Sequence, residues 1–102
     1  MQHANQQNGG TYAALFDLAE RFELPANVIQ QGMDMQQSAH TAAEQIRANT
    51  SLTTAQRRDA LRAIQQETRQ AVEGLLGADA FYTYQRHGGN WLNGLSALNA
   101  GR

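Results

Sequence analysis

The chain contains no cysteine, no lysine and only one proline in 102 residues. Without cysteine there is no disulfide, no thiolate nucleophile and no cysteine metal site, although the redox compartment stays open. Without lysine, all eight basic residues are arginine, which codon bias in a GC-rich genome explains better than phosphate recognition. A net charge of −1 lacks the basic excess of broad nucleic-acid binders, so none is expected as a partner. No apolar run approaches the roughly 20 residues that span a bilayer, so membrane insertion is not expected. Met1-Gln2-His3-Ala4-Asn5 is neither basic nor apolar, and no signal peptide is read there. Leu, Ile, Val and Phe total 18 of 102 residues, below the roughly 20 % at which disorder becomes a concern. Disorder also needs high net charge, and these apolar residues are periodic. The expectation is a folded chain with a thin core and some need for a partner surface.

What is abundant favours helix. Seventeen alanines and 13 glutamines lose little side-chain entropy in a helix. The sharpest local signal is Leu52-Thr53-Thr54-Ala55-Gln56, where Thr53 can cap a helix and Gln56 reach back, a capping box. Leu61, Ile64, Thr68, Val72 and Leu75 then recur at spacings of three and four, predicting a helix with one buried stripe that ends at Gly77. A preceding helix is predicted from about Ala26 to Arg47, with Val28, Gly32, Met35, Ala39, Ala42 and Ile46 as a heptad-like seam of mostly small residues. Asn49-Thr50-Ser51 is short and polar, so these two helices should fold back as an antiparallel hairpin.

Residues 1–10 are Gln/Asn/Gly-rich and read as a flexible, linker-like N-terminus, with a single helical domain over 11–99. Thr11 is a candidate cap for a short first helix bearing Leu15, Leu18 and Phe22, which Pro25 terminates. One or two short C-terminal helices follow Gly77, separated by Gly88-Gly89-Asn90. Phe81, Tyr82, Tyr84 and Trp91 are expected to close one end of the hairpin. The fold class is therefore all-α.

Catalytic equipment is not visible, and no enzyme activity is expected. His3, His40 and His87 are far apart and the chain is poor in ligands, so no metal site is assigned. His40 reads as a solvent-facing residue. Met33 and Met35 are two apart and diverge on a helix, which argues against a shared soft ion and for a core role at Met35. Ser38, Ser51 and Ser96 have no elbow motif or base at useful spacing. Nothing around Glu67, Glu73 and Asp79 suggests a desolvated carboxylate pair, and Gly88-Gly89 lacks the rest of a phosphate loop. No cofactor follows from any of these.

Arg58, Arg62 and Arg69 project along one flank of the third helix, beside its apolar stripe. They either pair with Glu44 or Asp34 across the hairpin, stay solvated, or edge a groove that holds acidic or amphipathic partner segments. Arg57 falls on the core side of the helix and needs a partner carboxylate or a snorkelling stem.

Leu52-Thr53-Thr54-Ala55-Gln56 at a helix start resembles the LTxxQ motif of the Spy/CpxP family of bacterial periplasmic proteins. That family normally carries two motifs. Phe22-Glu23-Leu24-Pro25-Ala26-Asn27-Val28 stands where the first would be, keeping Leu24 but with Pro25 for Thr and Val28 for Gln. The resemblance implies a helical-hairpin protein, usually a dimer with a concave face, acting in the periplasm or cell envelope as an ATP-independent chaperone or stress-response accessory protein. Residues 52–95, with Gln56-Arg57-Arg58, Leu76-Gly77, Tyr84-Gln85 and Trp91-Leu92, are also similar to the C-terminal hairpin of uncharacterised bacterial proteins. The reading is thus a non-enzymatic, self-associating protein, most simply a homodimer. It would bind unfolded or partner segments beside Arg58, Arg62 and Arg69, with Leu52, Thr53, Gln56, Gly77 and Trp91 as structural residues. The alternative is a structural or dimerisation module at the C-terminus of a longer protein.

Overall fold

A computed structural model describes the backbone of residues 2–98 and the side chains of residues 11–98. Among the described residues the chain is all-helical. Its elements are α1 (Gln2–Arg21), α2 (Asn27–Ala48), α3 (Thr54–Leu76), α4 (Ala78–His87) and α5 (Asn90–Gly94). The linker-like stretch expected at 1–10 falls on residues whose side chains lie outside this description, and the backbone from Gln2 belongs to α1.

Thr11 is not a helix cap. It lies inside α1 and is buried, 5 % exposed, because the helix extends through Gly9-Gly10 rather than starting after it. Phe22 and Leu24 amides close the end of α1 by donating to the Leu18 and Ala19 carbonyls, and Pro25 then prevents its continuation.

The start of α3 follows the capping box. The Gln56 amide donates to Thr53 Oγ1 at 3.0 Å, and the Thr53 amide donates to Gln56 Oε1 at 2.8 Å. Arg57, expected to need a partner carboxylate or a snorkelling stem, finds backbone instead: its Nη1 donates to the Asn49 and Leu52 carbonyls at 2.9 and 3.0 Å. One guanidinium thus ties down the whole α2–α3 turn. Gly77 ends α3, as expected, at φ +86° and ψ 157°, outside the left-handed helical conformation common for a glycine at this position. It is extended beyond the helix and begins α4 at once, which leaves no loop between the two.

The core takes residues from every helix. It gathers Leu15 and Leu18 of α1, Val28, Ala39 and Ala43 of α2, and Leu61, Val72 and Leu76 of α3. Ala80, Phe81 and Tyr84 of α4, with Leu92 and Leu95 at α5, complete it. Within α2 the buried set is Val28, Gly32, Ala39 and Ala43, so Ala43 replaces Ala42 of the expected seam. An α-helix drifts against a strict heptad, and α2 serves α1 as well as α3. Gly32 permits that double contact: a Cβ there would sit 2.7 Å from Leu15 Cδ1.

The aromatic cluster is only partly as expected. Phe81 and Tyr84 are buried and Trp91 is half-buried, but Tyr82 is 60 % exposed. Its ring carries the Arg86 guanidinium 5.5 Å from the centroid.

Candidate functional site

On one side, the α2–α3 pair is covered by the chain itself. α5 lies there against α3 and α4, and its C-terminal carbonyls are held by two side chains. Arg47 Nε donates to the Ala97 carbonyl at 2.8 Å, and Nη2 donates to the Gly94 and Leu95 carbonyls at 3.1 and 3.2 Å. Gln65 Nε2 donates to the Leu92 and Asn93 carbonyls at 2.8 and 3.3 Å. A helix C-terminus leaves such carbonyls without intrahelical partners, so this clamp stabilises an element too short to stand alone.

Trp91 fixes the same region. Its Nε1 donates to the Tyr84 hydroxyl at 2.7 Å, and its ring tilts over His40 at 5.9 Å between centroids. Burial of Tyr84 raises its pKa above the usual phenol value, an effect the Trp91 hydrogen bond opposes. His40 is pushed the other way. Partial burial lowers its pKa below the ordinary imidazole value, the Arg47 charge lowers it further, and Glu44 opposes both.

On the other side the pair is uncovered among the described residues. An open groove of about 410 Å³ runs between α2 and α3, lined by Asp34, Met35, Ser38, Ala39, Ala42, Ile64, Glu67, Thr68 and Ala71. Met35, Ala39, Ile64 and Thr68 form its buried or half-buried interior, while Asp34, Ser38, Glu67 and Ala71 are exposed lips. Gln30 donates to Asp34 Oδ1 at 2.9 Å. Both charged residues in the lining are carboxylates.

Arg58, Arg62 and Arg69 do not line this groove. At about 100° per residue they lie within about 40° of one another, on the same flank of α3 as Gln65. That flank borders α5. Arg58 and Arg62 are exposed and Arg69 is half-buried. Among the described residues, the ion pairs are Arg21–Asp17 and Arg47–Glu44, so the three arginines pair with neither Asp34 nor Glu44. The groove and the arginine strip therefore occupy opposite shoulders of the same helix.

The other candidates are dispersed. Ser38 and Met35 face the groove while His40 faces Trp91. His87 lies with Asp17, Arg21 and Thr83 in a small cleft of about 80 Å³ between α1 and α4. No group of three His, Cys, Asp or Glu residues able to hold a metal occurs among the described residues. No helix among them is long and apolar enough to cross a membrane.

Arg47 and Gln65, the residues that hold α5, have no sequence signature, because their acceptors are backbone carbonyls 27 to 50 positions away. The groove had a fainter one: Asp34 adjoins Met35, and Glu67 lies one turn from Ile64. Compared with known protein families, curated proteins and solved structures, the chain matches none.

Proposed function

We propose that this chain is a non-enzymatic protein-binding module built on an antiparallel α2–α3 hairpin, which holds unfolded or partner segments in the groove beside α3. The open groove carries this reading: an apolar interior of Met35, Ala39, Ile64 and Thr68 is uncovered on a molecule whose other α2–α3 shoulder is sealed by α5. Hairpin geometry agrees with the lining itself, in which residues 34–42 of α2 lie across from residues 64–71 of α3. A helix-in-groove contact is an established mode of segment capture. With the likeness of residues 52–56 to the LTxxQ motif, it points to a Spy/CpxP-like chaperone or accessory role in the bacterial envelope. Suppression of client aggregation tests it. The intact protein should suppress aggregation, and Ala71→Phe, which places a bulky ring on an exposed lip, should lose most of that effect. Undiminished suppression by the filled variant would remove the groove from the mechanism.

A second reading, self-association as a dimerisation module of a longer protein, is favoured by α1. Tyr12 and Phe16 are 50 % and 49 % exposed and stack at 6.4 Å between centroids, a half-exposed aromatic ridge. Light scattering across a dilution series tests this. A Tyr12→Ser/Phe16→Ser variant should shift the equilibrium toward monomer, and a wild type that stays monomeric throughout would end the proposal.

A further inference from the structure

The groove's lining specifies what it would hold. We propose that its occupant is a basic amphipathic helix from another protein, two to three turns long, with Arg or Lys on both shoulders of its apolar stripe. This deepens, and rests on, the reading of the groove as a segment-binding surface.

The length follows from the walls. Residues 34–42 of α2 and 64–71 of α3 flank the groove, and at ~1.5 Å per residue that is about 12 Å, or about two turns of an opposing helix. Conformation follows from hydrogen bonding. An extended segment would bring its own amides and carbonyls against Ala39, Ala42, Ile64 and Ala71, where only Ser38 and Thr68 offer uncharged side-chain partners. Unpaired backbone groups are strongly disfavoured in such a place. A helix satisfies its backbone internally and presents only side chains.

Charge decides the partner. Asp34 stands on the α2 lip and Glu67 on the α3 lip, and among the described residues no Arg lines the groove. Asp34 is met only by a neutral amide from Gln30 among the described hydrogen bonds, and Glu67 has no described partner. A segment carrying cations on both shoulders therefore finds a carboxylate on each side, whereas an acidic segment is repelled by both. A second copy of this chain fits poorly. Groove against groove sets carboxylates together, and the Tyr12–Phe16 ridge has Asp17 and Glu20 beside it. The arginine flank of another copy would make a head-to-tail contact, which builds a ring or a filament rather than a two-fold dimer.

The test uses the full chain and three synthetic helical peptides with one apolar stripe at i, i+4 and i+7. Their shoulders are all Lys, all Gln or all Glu, and fluorescence anisotropy reads their affinity. The Lys peptide should bind tightest and the Glu peptide weakest. Asp34→Asn/Glu67→Gln should weaken the Lys peptide by about five- to tenfold, as two rim ion pairs imply, and remove the preference over Gln. Ala71→Phe should abolish binding of all three. Equal binding of the Lys and Gln peptides, or tighter binding of the Glu peptide, would overturn the basic occupant while leaving a binding groove. Binding of the Lys peptide that survives Ala71→Phe would reduce it to diffuse surface charge. Failure of every peptide, together with unchanged aggregation suppression by Ala71→Phe, would remove the groove reading itself.

Discussion

Trp91 Nε1 donates to the Tyr84 hydroxyl at 2.7 Å, joining a half-buried indole to a phenol that is 1 % exposed. The bond links α5 to α4 at the point where Gly88 and Gly89 let the backbone pass the Tyr84 ring. A Cβ at Gly89 would lie 2.9 Å from Tyr84 Cδ2, and one at Gly88 only 2.3 Å from Ala14 Cβ.

Tyr84→Phe keeps the ring but removes the acceptor, so the Trp91 N–H loses its partner. Such a loss costs about 1–3 kcal/mol, or a fall in Tm of about 4–8 °C for each kcal/mol in a domain of this size. Circular-dichroism melting reads it. An unchanged Tm would show that the hydrogen bond contributes nothing.

Arg47→Lys retains the charge but cannot present a fork to the Gly94, Leu95 and Ala97 carbonyls. We expect a stability loss of about 2 kcal/mol, in the range for hydrogen bonds to charged groups. The Trp91 emission should shift to the red, and the amides of α5 should exchange faster. If α5 stays as protected as in the wild type, Arg47 is not its clamp.

Gly74 and Gly77 lie three residues apart, and a Cβ at either meets nothing within 4 Å, but only Gly77 has a positive φ, of +86°. Gly74→Ala should therefore gain about 1 kcal/mol from helix propensity. Gly77→Ala should lose about 1–3 kcal/mol through backbone strain. Paired urea titrations give the two signs, and a shared sign would refute the backbone assignment at the α3–α4 junction.

His40 gives stability a pH dependence. Its folded pKa lies below the unfolded value of about 6.5, so below that pH the unfolded chain binds more protons. The contribution is complete above the unfolded pKa and is lost as pH falls through the lowered folded value. Wild type should lose more stability than His40→Gln between pH 7.5 and the mildly acidic range. Parallel profiles for the two proteins would mean that partial burial and the Arg47 charge do not discriminate against the imidazolium.

The long helices were the most legible part of the chain. Thr53 and Gln56 mark the start of α3 by chemistry local enough to read in four residues, and Pro25 separates α1 from α2. The start of α1 was harder. Thr11, taken for a cap, is buried inside α1, whose backbone runs from Gln2. The site was legible only in part. An arginine strip stands out in a helical wheel, but which shoulder of α3 stays open depends on where α5 docks. Arg47 and Gln65 settle that by hydrogen bonds to distant carbonyls, a relationship that residue types and spacing do not encode.

Chemical-shift mapping of the ¹⁵N-labelled chain with the Lys-shouldered peptide locates the binding surface most directly. Perturbations should gather at Met35, Ala39, Ala42, Ile64 and Ala71, leaving Arg58, Arg62 and the α5 amides unmoved. Shifts concentrated on the arginine flank, or none at saturating peptide, would contradict the α2–α3 groove as the surface through which this protein works.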